Sequence, residues 1–307
     1  MSRIHEALKK AALERNAQLG SKTGPDLIEL EGEFSPENPV DASTEFREAA
    51  AVHRLDAPLR GKSTFEQLAK QWTPAVWNLE SRTSVFSRER ENLIVAERFR
   101  TLRSRLYQIA AVQRLRSLVI SSSVPAEGKT FVSANLAVSF VRQQDKRVLL
   151  IDADLRASRL HLELGAPQRP GLSDLLRGSA TEAQVIQVGP GGNLCFVSGG
   201  SDITNPSELL HSDRMRNFLD RMTEIFDWVI LDSPPAVAVH DASILADMCD
   251  GVLFVVRAGV TDFEVAQKAS SEFREKSLLG VVLNRVDRAD TYNSYYYGYT
   301  GEKEHQE

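Results

Sequence analysis

Residues 116–130, RSLVISSSVPAEGKT, constrain this chain more than any other stretch. Ser117 to Ile120 is a short apolar run rich in β-branched residues, the pattern of a buried strand. It breaks into small and turn-forming residues, Ser121 to Glu127, and ends in Gly128-Lys129-Thr130 before a helical run from Phe131 to Gln143. Strand, tight loop, Gly-Lys-Thr and helix together make a phosphate-binding loop. Amide N–H groups and the positive end of the helix face the phosphates, Lys129 reaches their β/γ oxygens, and the Thr130 hydroxyl ligates Mg²⁺. The candidate nucleotide contacts are Ser123, Val124, Pro125, Ala126 and Glu127, followed by Gly128, Lys129, Thr130 and Phe131. Ser123 occupies a place where the usual spacing has Gly. A Gly-Lys-Thr tripeptide alone recurs by chance; the flanking strand and helix make it a site.

Downstream, short apolar runs alternate with helical ones. Strands are expected at 147–151, 194–197, 227–231, 251–256 and 279–283, and helices at 171–176, 206–225, 242–248 and 262–276. Continuous apolar strands separated by helices predict an α/β fold of the P-loop NTPase type, a mostly parallel sheet covered by helices on both faces. In such sheets ligands bind beyond the carboxyl ends of the strands. The residues of interest lie there: Asp152 and Asp154 close VLLID, Asp232 closes WVILD, and Asn284 closes VVLN. A single aspartate at a strand end is often only a helix cap. Two such ends beside a phosphate loop point to a metal and proton-transfer site.

The rest of the chain is organised around this domain, expected at 89–290. Residues 1–20 predict an amphipathic helix with Ile4, Ala7, Leu8, Ala11 and Ala12 on one stripe, suited to docking on the domain, a partner or a membrane surface. Residues 21–88 read as a flexible linker interrupted by prolines, with eight acidic side chains against one arginine between 26 and 48. Phe65, Leu68, Trp72, Val76 and Trp77 stand out in it as a small contact patch. A long helix is expected at 89–113, where Phe99, Leu102, Leu106 and Ile109 share a face; Arg98, Arg100, Arg103 and Arg105 make the polar side basic. With a net charge of −5 and no reader motif, nucleic acid is not an expected partner. The two cysteines, Cys195 and Cys249, fit no metal or redox spacing and read as small buried residues. Neither a signal peptide nor a membrane-spanning run is visible, so a cytoplasmic protein is expected.

The tail at 291–307 is unusual. Tyr292, Tyr295, Tyr296, Tyr297 and Tyr299 crowd into it, whereas the chain has six tyrosines in all. No core stripe has that spacing, but a set of phosphoacceptor hydroxyls does.

SSSVPAEGKT, VLLIDADLR and WVILDSPP together resemble the Walker A, A′ and B motifs of the bacterial tyrosine kinases, over about Glu91 to Tyr299. Glu97, Arg100 and Arg103 form the E-x-x-R-x-x-R pattern that builds a ring-shaped homo-oligomer in that family. The opening MSRIHEALKKA is similar to the exopolysaccharide-locus autokinases that lack their own transmembrane part. The resemblance implies ATP and Mg²⁺ as cofactors. Lys129, Asp152 and Asp154 would be the catalytic residues, with Asp152 the base toward tyrosine, and Thr130, Asp152 and Asp232 would hold the metal. Asn284 would contact adenine. The tyrosine cluster would be autophosphorylated by a neighbouring subunit, regulating exopolysaccharide synthesis or export. Partners would be a membrane polysaccharide copolymerase that recruits the kinase to the inner face of the membrane, and a tyrosine phosphatase.

Two departures from the family pattern stand out. Ala126 replaces a frequent Gly, a mild change where φ is negative, and Ser158 replaces the Pro of DLRxP. The alternatives are a ParA/MinD-like regulatory ATPase, whose signature lysine would fall at Val124, and an assembly adaptor without kinase activity.

Overall fold

The computed structural model describes residues 65–75, 77, 93–201, 203–275 and 277–286, all within one compact unit that begins at Ser63. The expected helix at 1–20, most of the expected linker and the whole tyrosine cluster lie outside the described residues. In chain order come α1 (Phe65–Ala69), β1 (Thr73–Pro74), α2 (Leu93–Val112), β2 (Ser117–Ser122), α3 (Lys129–Val141) and β3 (Val148–Asp152). Then follow α4 (Leu160–Leu164), α5 (Leu172–Arg177), α6 (Glu182–Val185), β4 (Gln187–Val188), β5 (Leu194–Val197), α7 (Pro206–Leu210) and α8 (Asp213–Ile225). The last elements are β6 (Trp228–Asp232), α9 (Asp241–Ala246), β7 (Gly251–Arg257), α10 (Phe263–Ser271) and β8 (Leu278–Asn284).

The strands form one sheet in the order β1-β4-β5-β3-β6-β2-β7-β8. From β5 to β8 every neighbouring pair is parallel, and only the β4–β5 pair is antiparallel. Successive side chains of a strand point to opposite faces, so each central strand feeds two cores. Leu118, Ile120, Leu150 and Ile230 pack with Phe99 and Leu106 of α2 and Leu136 and Phe140 of α3. Val119, Leu149, Ile151 and Leu231 pack with Phe218 and Met222 of α8 and Leu245 of α9. Burial on both faces explains why these strands read as unbroken apolar runs. Their parallel pairing points their carboxyl ends the same way, which gathers the segments carrying Lys129, Asp152, Asp154 and Asp232.

The expected helix at 206–225 is two helices. Ser212 breaks it, since its hydroxyl accepts from the Met215 N–H and caps α8 afresh. The larger difference is at 65–77, placed in the linker by its prolines and lack of periodicity. Here α1 and β1 form a strap over the sheet edge. Thr73 N–H and Ala75 N–H donate to the carbonyls of Ile186 and Val188, at 3.1 and 3.2 Å. Trp72 stacks on Phe226 with ring centroids 5.5 Å apart, and Phe65 meets both rings edge-on. Trp77 lies in the other core, edge-on to Phe196. Three large aromatics anchored in two cores hold the strap without any repeating pattern.

Candidate active site

Helix α3 begins directly after the loop, with Gly128 as its N-cap at φ 96°, no side-chain cap and no acid in its first turn. Its first N–H groups are therefore left for an anion. A side chain at 128 would be strained by that φ and would collide with the Asn284 amide, so both geometry and space require glycine there.

Lys129 points to the strand ends. Its Nζ lies 2.8 Å from Asp154 Oδ2, with the two side chains only 12% and 4% exposed. Asp152 and Asp232 are register partners at the ends of β3 and β6 and are buried. Three carboxylates thus share one ammonium. Burial alone would push Lys129 down, but Asp232, Asp154 and Asp152 more than offset it and hold its pKa above the ordinary value. Burial, reinforced by Asp232, pushes Asp152 up to about 7, although the Ser158 hydroxyl and Leu160 N–H oppose the rise. Burial likewise raises Asp232, against Lys129 and hydrogen bonds from Thr130 and Ser133.

The A′ loop is fastened at several points that local pattern does not reveal. Ser158 Oγ and Leu160 N–H donate to Asp152 Oδ2, at 2.7 and 3.0 Å. Where the resembled family has proline, this chain thus has a hydroxyl bound to the key carboxylate. Arg156 Nε donates to Asp241 Oδ2 at 2.7 Å, and Ser207 Oγ donates to Asp241 Oδ1 at 2.6 Å. Asp241, fully buried, ties this loop to α7 and α9. In the sequence it looks like an ordinary acid at a helix start. Ser133 Oγ, one turn into α3, donates to Asp232 Oδ1 at 3.1 Å.

Of the other candidate residues, several are turned to structural duty. The Phe131 ring packs on Phe99, and the Glu127 carboxylate faces inward, 1% exposed. Asn284 Nδ2 donates to the Glu127 carbonyl at 2.8 Å, placing Asn284 against the loop. Pro125 and Ala126 are exposed at the loop tip, Val124 is half-buried, and the Ser123 hydroxyl is buried without a partner among the described residues. Ala126 has φ 65°, so the condition that made alanine a mild change is not met. On α2, Glu97 and Arg100 pair with each other on the exposed face, while Arg103 reaches the Ser139 carbonyl of α3. The tyrosines at 292–299 lie outside the described residues.

Among the described residues no group of three or more His, Cys, Asp or Glu side chains is placed to hold a metal by itself. Mg²⁺ does not require one: it binds one or two carboxylates and keeps waters and phosphate oxygens as its other ligands. The hard-oxygen set of Thr130, Asp152 and Asp232, with carboxylates in excess of the single ammonium, fits such a cation. No helix among the described residues is long and apolar enough to cross a membrane.

Comparison with known proteins agrees with this geometry. Residues 119–306 match the family described as the CobQ/CobB/MinD/ParA nucleotide binding domain. The tyrosine-protein kinase YwqD of Bacillus subtilis (strain 168) is 35% identical over 205 residues, covering 66% of this chain and 86% of that protein. The tyrosine-protein kinase ptk of Acinetobacter johnsonii is 35% identical over 198 residues, 64% of this chain, but the match spans only 27% of that longer protein. The crystal structure of the chimerical protein CapA2B2 superposes with a TM-score of 0.63 at 29% identity, covering 73% of this chain and 100% of that one.

Proposed function

The chain belongs to the bacterial tyrosine-protein kinases, and from that premise we propose that it transfers the γ-phosphoryl group of ATP to its own tyrosine cluster, Tyr292 to Tyr299, between subunits. The observation that carries this reading is the buried set of Lys129, Asp152, Asp154 and Asp232 at the strand ends beside an uncapped helix start. Phosphoryl transfer asks mainly for charge neutralisation and in-line placement. Lys129 neutralises phosphate oxygens, and Asp154 holds its ammonium in place until nucleotide arrives. Thr130, Asp152 and Asp232 would hold Mg²⁺, which when bound supplies further neutralisation of the phosphates. A tyrosine hydroxyl, with a reference pKa of ~10, is about a thousandfold under-ionised at neutral pH. We assign Asp152, at the end of β3 near the Lys129 ammonium, to take its proton.

Subunit contacts would use Glu97 and Arg100, both exposed on α2, together with Arg103, which also reaches the Ser139 carbonyl of its own chain. Cycling of tail phosphorylation, reversed by a tyrosine phosphatase, would regulate exopolysaccharide synthesis or export through a membrane polysaccharide copolymerase.

The test is a phosphosite map after incubation with Mg-ATP, with and without that membrane partner. Phosphate is expected among Tyr292 to Tyr299; none under either condition sinks the kinase reading. Mixing a tailless active chain with a Lys129→Met chain separates transfer between molecules, which marks the inactive chain, from transfer within one.

A further inference from the structure

Glu127 lies in the loop that the nucleotide reading above assigns to phosphate, yet its carboxylate is occupied by the protein itself. Val124 N–H donates to Oε2 at 2.8 Å, closing the loop on itself. Arg257 N–H and Thr261 Oγ1 donate to Oε1, at 3.2 and 2.5 Å. The Glu127 carbonyl meanwhile accepts from Asn284 Nδ2 at 2.8 Å. The loop is thus held at one residue by two strand ends, the end of β7 through the Glu127 side chain and the end of β8 through its carbonyl. The two tethers join each other, since Ala258 N–H donates to the Asn284 carbonyl at 2.9 Å. The inward turn also keeps a negative charge from facing incoming phosphates, where it would repel them.

Val124 and Arg257 contribute backbone N–H groups that only proline would remove. Thr261 contributes a side-chain hydroxyl donor at this carboxylate. It stands at the foot of α10, where Thr261 N–H bonds the Arg257 carbonyl and Asp262 caps the helix. We infer that Thr261 is a positioning residue for nucleotide binding, bracing the phosphate loop through Glu127 across 134 residues of sequence. A loop already in its bound shape loses less freedom on binding. The brace therefore strengthens binding of any nucleotide and leaves the chemical step alone. This inference rests on the nucleotide reading of the loop.

The full chain is compared with Thr261→Val, which keeps the shape and removes the hydroxyl, and with Thr261→Ser, which keeps the hydroxyl. Affinity is read with a fluorescent ADP analogue. Thr261→Val should bind about tenfold more weakly, the scale of one hydrogen bond to a charged group. KM for ATP should rise by a similar factor with kcat unchanged, and Thr261→Ser should bind as the native chain does. In the nucleotide-free protein, amide exchange over 123–128 should speed up in Thr261→Val while exchange in β2 and β3 stays slow. Native affinity and native exchange in Thr261→Val overturn the inference. So does a Thr261→Ser chain as weak as Thr261→Val, or a general rise in exchange that includes β2, which would make Thr261 merely structural. A native chain that binds no analogue overturns the nucleotide reading instead, and the exchange comparison still decides the brace.

Discussion

Asp152 and Asp232 end two adjacent parallel strands directly opposite one another, and both are buried. Like charges so placed raise each other's proton affinity, and Lys129 is shared among them and Asp154. The candidate site is therefore an interior with more carboxylates than ammonium groups, assembled by the sheet itself. Such an arrangement costs stability.

That cost should be visible in pH. Burial, reinforced by Asp232, pushes Asp152 up to about 7 in the folded chain, from an ordinary value of 3.8. Between those values the folded chain holds a proton that the unfolded chain has released, so stability falls as pH rises through this window. Asp152→Asn, neutral throughout, should stabilise the metal-free chain by several kcal/mol at pH 8 and have little effect near pH 4. Denaturation at the two pH values checks this; an equal effect at both would show that Asp152 carries no raised proton affinity. The same variant should lose autophosphorylation.

Ala126 sits at φ 65° at the exposed tip of the loop. A left-handed alanine is disfavoured by about 1–2 kcal/mol, while glycine gives back about 0.5–1 kcal/mol through the freer unfolded chain. Ala126→Gly should therefore stabilise the nucleotide-free protein by roughly 0.5–1 kcal/mol, measured by urea denaturation. A loss of stability would mean that the methyl group makes a contact outweighing its strain.

Trp72 is 5% exposed and stacked on Phe226. Trp72→Ala should destabilise the chain by about 3–5 kcal/mol, because it removes the ring stacked on Phe226 and met edge-on by Phe65. A change under about 1 kcal/mol would return residues 65–77 to the status of a linker.

The contrast between these residues shows what local pattern can and cannot carry. Ser117–Ile120 and Val148–Ile151 announce themselves because both their faces are buried, leaving no polar alternation to confuse the reading. Lys129, Asp152 and Asp232 follow from the rule that parallel strands end together. Glu127 does not: its partners Arg257 and Thr261 lie 130 and 134 residues away, and a loop glutamate among candidate phosphate contacts has no local mark of facing inward. Asp241 is similar, an acid in the first turn of a helix whose real partner, Arg156, comes from another loop. Trp72 and Trp77 were hidden by the prolines around them, since a segment anchored by single aromatics has neither a helical nor a strand period.

One of those prolines has a use of its own. In β1, the outermost strand, the N–H groups of Thr73 and Ala75 turn inward to β4, so the backbone nitrogen between them faces out. That nitrogen belongs to Pro74, which has no hydrogen to give. A further strand approaching from that side would find a donor missing where it needs one. Extension of the sheet at the strap is thereby disfavoured.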